Sequence, residues 1–230
     1  MLKLYDLTIE YKHNPLGLDE VQPRFSWKLD SDKQDTAQTS YRLQVMQSGA
    51  VVWDSGAMES EQSVLNEYLG PNLAPRTEYT WSVTVTDNHG DTADAESRFE
   101  TGLLDGGAFE GKAKWITSAF DKDSTVSPVL YKEFTVSGPV AKARLYATAR
   151  GMYEAEINGE PADDTYFHPG WTNYRKRLQY QTYAVTLREG VNRLALTLAN
   201  GWYKGKLGFM PTPNHYGDTT AALAALCITY

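Results

Sequence analysis

A strict alternation of apolar and polar side chains constrains the fold of this chain more than any other feature of its sequence. The clearest example is the run YTWSVTVT at residues 79–86, where large apolar residues alternate with hydroxyl residues. Because successive side chains of a β-strand point to opposite faces, this run predicts a strand with one buried face. The tetrapeptide DNHG at residues 87–90 follows it and is typical of a turn. Helical periodicity is nearly absent, so we expect an all-β protein.

Shorter runs of the same kind occur on both sides of this strand. Leu2 and Leu4 alternate with other residues at the N-terminus, as in a strand. Ser48-Gly49 separates two runs as a hairpin turn, Asn158-Gly159 is a strong type I′ hairpin signal, and residues 188–190 form another turn. The other predicted strands are Arg24–Leu29, Tyr41–Gln47, Val51–Asp54, Val129–Val136, Ala143–Ala149, Tyr153–Asn158, Tyr180–Val185, Asn192–Ala199 and Ala221–Tyr230.

The distribution of glycine predicts two domains. The chain has 230 residues, and domains usually span about 100–200. The segment 102–111 is rich in glycine and lacks any period, which favours a domain boundary. We therefore predict a β-sandwich at residues 1–102, a linker at 103–112 and a second β-sandwich at 113–230.

The second sandwich is predicted to be a jelly roll that is incomplete at its C-terminal end. About six strands are clear in it, whereas a jelly roll needs about eight. The last predicted strand also runs to Tyr230 without a following turn. An open sheet edge would result, and we expect that such an edge could support a dimer. The alternative is that a short extra strand at Lys114–Thr117 closes the fold.

Charge and cysteine content exclude several classes of protein. The net charge of −7 argues against a nucleic-acid or anionic-membrane partner. The single cysteine, Cys227, cannot form an intrachain disulfide and lies in an apolar run. No apolar core of signal-peptide length occurs near Met1, and the run Ala221–Ile228 is shorter than the ~18–20 residues of a membrane span. With Met1 as the natural start, we expect a cytoplasmic protein.

The sequence offers little support for catalysis. It has no GxSxG elbow and no HxxxH or CxxC metal spacing. Glu154 and Glu156 share one face of a predicted strand, about 6–7 Å apart, but we expect this face to be solvated. Asp163 and Asp164 follow the predicted hairpin and offer carboxylate oxygens that suit calcium, with a polar turn as the alternative.

The stretch 167–209 combines aromatic and basic side chains, and we predict a carbohydrate-binding site there. Flat aromatic rings beside hydrogen-bonding cations suit a ligand with apolar faces and polar edges, such as a sugar. The alternative is that the aromatic residues form core and the cations are solvated. The candidate binding residues are Trp171, Tyr174, Arg177, Tyr180, Trp202, Tyr203 and Lys204.

Two resemblances to known families accompany these patterns. Residues 73–90, LAPRTEYTWSVTVTDNHG, resemble a fibronectin type III or immunoglobulin-like module, a match that covers about residues 1–102. A second set of motifs spans the whole chain: FSWKL, YRLQV, VWDSG, TEYTWSVTVTD, FETGLL, AKWI, KEFTV, GMYEAEING, PGWTNYRKRLQYQTY and GWYKGKLGF. With these motifs, the chain resembles the N-terminal region of bacterial α-L-rhamnosidases.

The second resemblance implies a role within a multidomain enzyme. Such enzymes are inverting glycoside hydrolases that remove terminal α-L-rhamnose, and their catalytic acid and base lie in a downstream (α/α)₆ barrel. No catalytic residue can be carried over, so we expect the chain alone to be inactive. It would recognise L-rhamnose-containing glycans or glycosides through a jelly-roll domain of the galactose-binding type. The alternative is that both sandwiches are structural spacers that pack against the barrel.

The resemblance also bears on calcium, because a domain of this type binds rhamnose with calcium in some members. We expect no required cofactor, but the resemblance implies that calcium could bind at Asp163, Asp164 and Asn214. A hydrolytic fragment and the sugar-binding sandwich of a β-galactosidase-like enzyme are further alternatives, and GWYKGKLGF argues against the second.

Overall fold

The chain forms two compact units, Met1–Asp105 and Gly106–Tyr230. The computed structural model describes residues 1–104, 109, 113–120, 126–209 and 212–230. Most of the predicted linker at 103–112 lies outside these described residues. Within them, the regular elements are strands apart from one short helix, which confirms an all-β fold. Among the described residues, no helix has the length and apolar character needed to cross a membrane.

The first unit is a pair of β-sheets. One sheet has the order β1-β3-β7, and the other has the order β2-β9-β8-β4-β5 with β6 paired to β4. Neighbouring strands are antiparallel except for the parallel pair β2 and β9. The strands are β1 (Lys3–Ile9), β2 (Leu16–Leu18), β3 (Arg24–Asp30), β4 (Gln38–Gln47), β5 (Ala50–Asp54), β6 (Met58–Glu59), β7 (Asn66–Glu67), β8 (Glu78–Asp87) and β9 (Thr92–Thr101).

The core of the first unit confirms the alternation that predicted β8. Trp81 is fully buried and its ring lies 4.8 Å from that of Phe25. The Ala74 N–H donates a 2.9 Å hydrogen bond to the Tyr79 hydroxyl, which fixes the chain entering β8 as in a tyrosine corner. The indole N–H of Trp27 donates to the Gln38 side-chain oxygen at 2.9 Å, so this buried polar group is satisfied. These contacts support the interpretation that this unit has an immunoglobulin-like fold.

The second unit is also a pair of antiparallel sheets. Their orders are β10-β15-β12-β13 and β14-β11-β16. The predicted strands are present, and the one predicted at 180–185 is shortened to β14. The elements are β10 (Val129–Val136), β11 (Lys142–Arg150), β12 (Met152–Ile157), β13 (Glu160–Pro161), β14 (Gln181–Ala184), β15 (Gly190–Ala199), α1 (Gly201–Lys204) and β16 (Ala221–Thr229).

The core of the second unit lies between its sheets. It is built from buried side chains such as Leu145, Tyr153 and Leu198. Asn158 and Gly159 connect β12 to β13 with φ of +57° and +87°, as the predicted type I′ turn requires. A short extra strand at 114–117 was the alternative that would close the fold. In the described structure, this segment forms an isolated bridge between Ile116 and Ala222.

Candidate carbohydrate-recognition site

Two loops of the second unit carry the predicted binding residues. The first loop, residues 162–180, joins β13 to β14, and the second, residues 200–220, joins β15 to β16 and begins with α1. Gly201 turns the chain from β15 into α1 with φ of +50°. A Cβ at this position would lie 2.6 Å from the Met152 side chain, so both the backbone angle and the space require glycine.

Three aromatic rings from both loops form a group at the surface that we name the tryptophan patch, consisting of the exposed Phe167 and Trp171 and the half-buried Trp202. The indole rings of Trp171 and Trp202 stack with centroids 6.4 Å apart and an interplanar angle of 21°. The ring of Phe167 lies 6.3 Å from that of Trp202. Trp171 is 57% exposed and Phe167 is 66% exposed, so the patch presents apolar surface to solvent. Isolated exposed aromatics are common, but a contiguous group often marks a binding surface.

A second aromatic group, the tyrosine cluster of Tyr174, Tyr203 and Tyr216, holds the two loops together. The Tyr174 ring lies 5.4 Å from Tyr203 and 5.0 Å from Tyr216. Arg175 contributes by donating to the His215 carbonyl at 3.1 Å while lying 5.7 Å from the Tyr216 ring. Burial raises the pKa of the Tyr174 hydroxyl, and the neighbouring Tyr216 adds to this effect. These rings pack mainly against one another.

The three remaining predicted binding residues belong to neither aromatic group. Tyr180 packs between Phe109 and Tyr146, with ring centroids 5.9 and 6.3 Å away. Lys204 is only 7% exposed. Arg177 is exposed, and its carbonyl accepts a hydrogen bond from the Thr172 hydroxyl. The structure therefore brings Trp171 and Trp202 together, pairs Tyr174 with Tyr203, and places Tyr180 and Lys204 within packed regions.

A buried network fixes the start of the first loop, and the sequence interpretation did not include it. The Tyr153 and Tyr183 hydroxyl oxygens are 2.9 Å apart, and the Tyr183 oxygen lies 3.1 Å from His168 Nδ1. Tyr153 donates to the Ala147 carbonyl at 2.9 Å, and its own N–H donates to the His168 carbonyl at 2.8 Å. Burial raises the pKa of both tyrosine hydroxyls. The network anchors the loop that carries Phe167 and Trp171.

The position of this network could have been inferred from alternation. Tyr153 and Tyr183 occupy core-facing positions of β12 and β14, and a buried tyrosine hydroxyl usually finds a hydrogen-bond partner. The partner, His168, lies in a loop. Its pairing with these tyrosines depends on contacts that are distant in sequence.

The predicted calcium ligands are spread over both loops. Asp163 accepts a 2.6 Å hydrogen bond from the Thr165 hydroxyl and lies 3.5 Å from His168 Nε2. Asp164 is exposed beside it, whereas the Asn214 N–H donates to the Lys204 carbonyl in the second loop. No group of three or more His, Cys, Asp or Glu side chains that could hold a metal ion occurs in the described part of the chain. Calcium binding at Asp163, Asp164 and Asn214 stays a prediction.

A groove runs beside Asp163 on the outer face of β12. It has a volume of about 450 Å³. The alternation of β12 points Glu154 and Glu156 outward into this groove and Tyr153 into the core, as predicted. The other lining residues are Ala155, Pro161, Asp163, Asp164, Thr165, Tyr166 and His168.

Two protein-family matches cover most of the chain. Residues 4–105 match the Rha78A-like N-terminal immunoglobulin domain, and residues 138–230 match the α-L-rhamnosidase N-terminal domain. The chain carries the two N-terminal domains of α-L-rhamnosidases. The match to the α-L-rhamnosidase N-terminal domain includes both loops and every predicted binding residue.

Individual α-L-rhamnosidases support the same assignment. An α-L-rhamnosidase of Formosa agariphila is 35% identical, over 93% of this chain and 25% of its own length. The native α-L-rhamnosidase structure from Aspergillus terreus has a TM-score of 0.86 and 32% identity, over 100% of this chain and 27% of that one. The Streptomyces avermitilis α-L-rhamnosidase complexed with L-rhamnose has a TM-score of 0.87 and 25% identity, over 100% of this chain and 39% of that one. The chain thus spans between a quarter and two fifths of these relatives.

Proposed function

We propose that this chain is a non-catalytic, substrate-recognition part of an α-L-rhamnosidase, and that its second unit binds terminal L-rhamnose. The observation that carries the proposal is the tryptophan patch, in which loops from two places in the sequence stack the exposed Trp171 ring against Trp202 on a domain of rhamnosidase type. Inverting hydrolysis of the α-L-rhamnosidic bond would take place in another domain of the same enzyme.

The chemistry of the patch suits this sugar. L-Rhamnose is a 6-deoxy sugar, so it combines a methyl group and an apolar ring face with a rim of hydroxyl groups. An exposed indole such as that of Trp171 provides a large, rigid surface for the apolar face. The exposed Arg177 side chain lies in the same loop and can donate hydrogen bonds to hydroxyls at the rim.

A purely structural role is the second candidate, and the tyrosine cluster favours it. Tyr174 and Tyr203 pack against Tyr216, and Tyr180 packs against Tyr146, so several predicted binding residues stabilise the loops. In this alternative the two units would be spacers, and the patch would contact another domain of the enzyme. Replacement of Trp171 distinguishes the two functions, because this side chain is largely exposed.

Isothermal titration calorimetry with L-rhamnose, with and without calcium, tests the proposal. We expect the unmodified chain to bind, and Trp171→Ala to weaken binding by about 2 kcal/mol or more, roughly 30-fold in Kd, as for a central aromatic contact. Trp115→Ala is the matched control, because it removes another partly exposed indole of this unit, one that lies 4.7 Å from Arg150. This variant should bind as the parent does.

Two results would count against sugar recognition. One is the absence of heat at tens of millimolar L-rhamnose for a folded parent chain. The other is equal affinity of the parent and Trp171→Ala. A loss of stability in Trp171→Ala without any change in affinity would favour the structural alternative.

A further inference from the structure

The groove on the outer face of β12 forms where the chain meets the edge of this strand at two points. The Ala162 N–H donates to the Ala155 carbonyl at 2.8 Å, and the Tyr153 N–H donates to the His168 carbonyl at 2.8 Å. These contacts are two residues apart on β12, a distance of about 7 Å, so the intervening residues 163–167 must arch away from the strand. The groove of about 450 Å³ lies beside this arch, and all of its lining residues belong to the second unit.

A backbone donor in this groove, the Ala155 N–H, has no acceptor among the described residues. The Asn158 N–H donates to the Arg193 carbonyl at 2.8 Å, so the even-numbered residues at this end of the antiparallel pair bond to β15 and the odd-numbered ones point away. The Ala155 N–H therefore points toward residues 163–167, yet Ala155 is only 6% exposed. Buried N–H groups without a partner are rare because they cost free energy. This group points to an acceptor that comes from outside the chain.

Carboxylates make up much of the remaining lining. Glu154 and Glu156 extend from β12, and Asp163 and Asp164 come from the loop that follows β13. No lysine, arginine, asparagine or glutamine occurs among the described residues that line the groove. A carboxylate accepts hydrogen bonds at neutral pH and donates none, so the groove suits a ligand with several donors. An anionic ligand would be repelled by the same groups.

The lone backbone donor and the carboxylates together select the chemistry of the ligand. It must accept a hydrogen bond from the Ala155 N–H and donate hydrogen bonds to the carboxylates. A metal ion or an ammonium group satisfies carboxylates but cannot accept from an N–H. A sugar hydroxyl does both, because it carries one donor and two acceptor lone pairs. The ring of Tyr166, whose side chain is 74% exposed, adds an apolar wall that suits the face of a pyranose ring.

We propose that this groove binds a neutral pyranose residue that is linked to the terminal rhamnose, so that the second unit recognises a disaccharide. The inference rests on the proposed function, in which rhamnose lies on the tryptophan patch. The two surfaces adjoin, because Tyr166 lines the groove and the next residue, Phe167, lies 6.3 Å from Trp202 in the patch. The groove then determines specificity. It favours rhamnose attached to a neutral sugar and disfavours rhamnose attached to a uronic acid or a sulfated sugar.

Calorimetric titration with matched ligands tests this specificity. Methyl α-L-rhamnoside supplies the rhamnose alone, whereas α-L-rhamnosyl-glucose and α-L-rhamnosyl-glucuronic acid add a neutral and an anionic residue, each as the 1→2, 1→3 and 1→4 isomers. We expect at least one glucose isomer to bind about tenfold tighter than methyl α-L-rhamnoside, the gain from one net hydrogen bond of ordinary strength. The glucuronic acid isomer of the same linkage should bind no tighter than methyl α-L-rhamnoside. Its affinity should rise with salt, which screens the repulsion.

Glu154→Gln tests whether the groove is responsible for this preference. It removes one carboxylate and keeps the shape of the side chain, so it should abolish most of the gain from the neutral sugar and weaken the discrimination against glucuronic acid. Glu189→Gln is the matched control, because it makes the same charge change at an exposed carboxylate directly before β15, outside the groove. This variant should bind every ligand as the parent does.

The outcomes separate this inference from the proposed function. A parent chain that binds methyl α-L-rhamnoside but gains nothing from any glucose isomer would overturn the inference and leave the proposed function intact. Equal affinity for glucose and glucuronic acid isomers of the same linkage, or equal affinity of Glu154→Gln and the parent for the glucose isomer, would do the same. A parent chain that does not bind methyl α-L-rhamnoside would overturn the proposed function and this inference with it.

Discussion

At the residue scale, the buried hydroxyls of Tyr153 and Tyr183 connect the core of the second unit to the loop at residues 162–180. They lie 2.9 Å apart, and the Tyr183 hydroxyl contacts His168, which lies between Phe167 and Trp171 of the tryptophan patch. A buried hydroxyl without a partner costs about 1–3 kcal/mol, so the members of this network depend on one another. These buried hydrogen bonds therefore help to fix the position of Trp171.

Tyr153→Phe tests this network through the pH dependence of stability. Burial holds the pKa of the Tyr153 hydroxyl above its usual range in the folded state. The unfolded chain then loses this proton at pH above about 10 while the folded chain keeps it, so stability falls as pH rises through this region. The loss is about 1.4 kcal/mol per pH unit for each such hydroxyl, and it is absent below the unfolded pKa. Urea unfolding at pH 8–11 should therefore show a shallower decline for Tyr153→Phe than for the parent. Equal slopes would contradict the burial argument.

Residue types in the sequence predicted that aromatic side chains would group in this region, but they did not predict which of them form the tryptophan patch. Trp171 and Trp202 were predicted as binding residues, and the structure stacks them with Trp171 exposed. Tyr174 and Tyr203 have the same chemical character in the sequence, yet they pack in a separate cluster with Tyr216. Which ring faces which depends on how two loops meet across more than 25 residues of sequence. Neither composition nor periodicity contains this information.

At the element scale, the strands follow from local patterns. The alternation at residues 79–86 produced β8, and the turn at Asn158-Gly159 produced the connection to β13. The helix α1 was not predicted, because four residues are too few to show a helical period. It forms where Gly201 and the packing of Tyr203 turn the chain out of β15, which are tertiary effects.

Gly217→Ala tests how the second loop packs on α1. A Cβ at this position would lie 2.6 Å from atoms of the Tyr203 ring, a contact that requires the ring or the loop to move. Overpacking of this kind costs about 1–3 kcal/mol, and we expect a corresponding loss of stability in urea unfolding. Gly138→Ala is the matched control, because no atom lies within 4 Å of its added Cβ. Equal stabilities of the two variants would contradict the packing described for the loop.

At the scale of the whole molecule, glycine distribution and strand content predict two β domains. The matches to the two rhamnosidase N-terminal domain families agree with the family resemblance that the motifs carried. The positions of the aromatic groups were harder to predict, since they depend on loops that connect strands of the two different sheets. We propose that the tryptophan patch, and not the acidic groove beside Glu154 and Glu156, contacts L-rhamnose.

Saturation-transfer difference NMR with methyl α-L-rhamnoside tests this claim most directly, because it reports which ligand protons lie against the protein. We predict the strongest transfer to the C6 methyl and to the apolar ring face, a signal that Trp171→Ala abolishes and that Trp115→Ala and Glu154→Gln leave intact. L-Mannose, which carries a hydroxymethyl group in place of the methyl, should give a weaker signal. Transfer that survives Trp171→Ala and disappears in Glu154→Gln would contradict the account by placing the sugar in the groove.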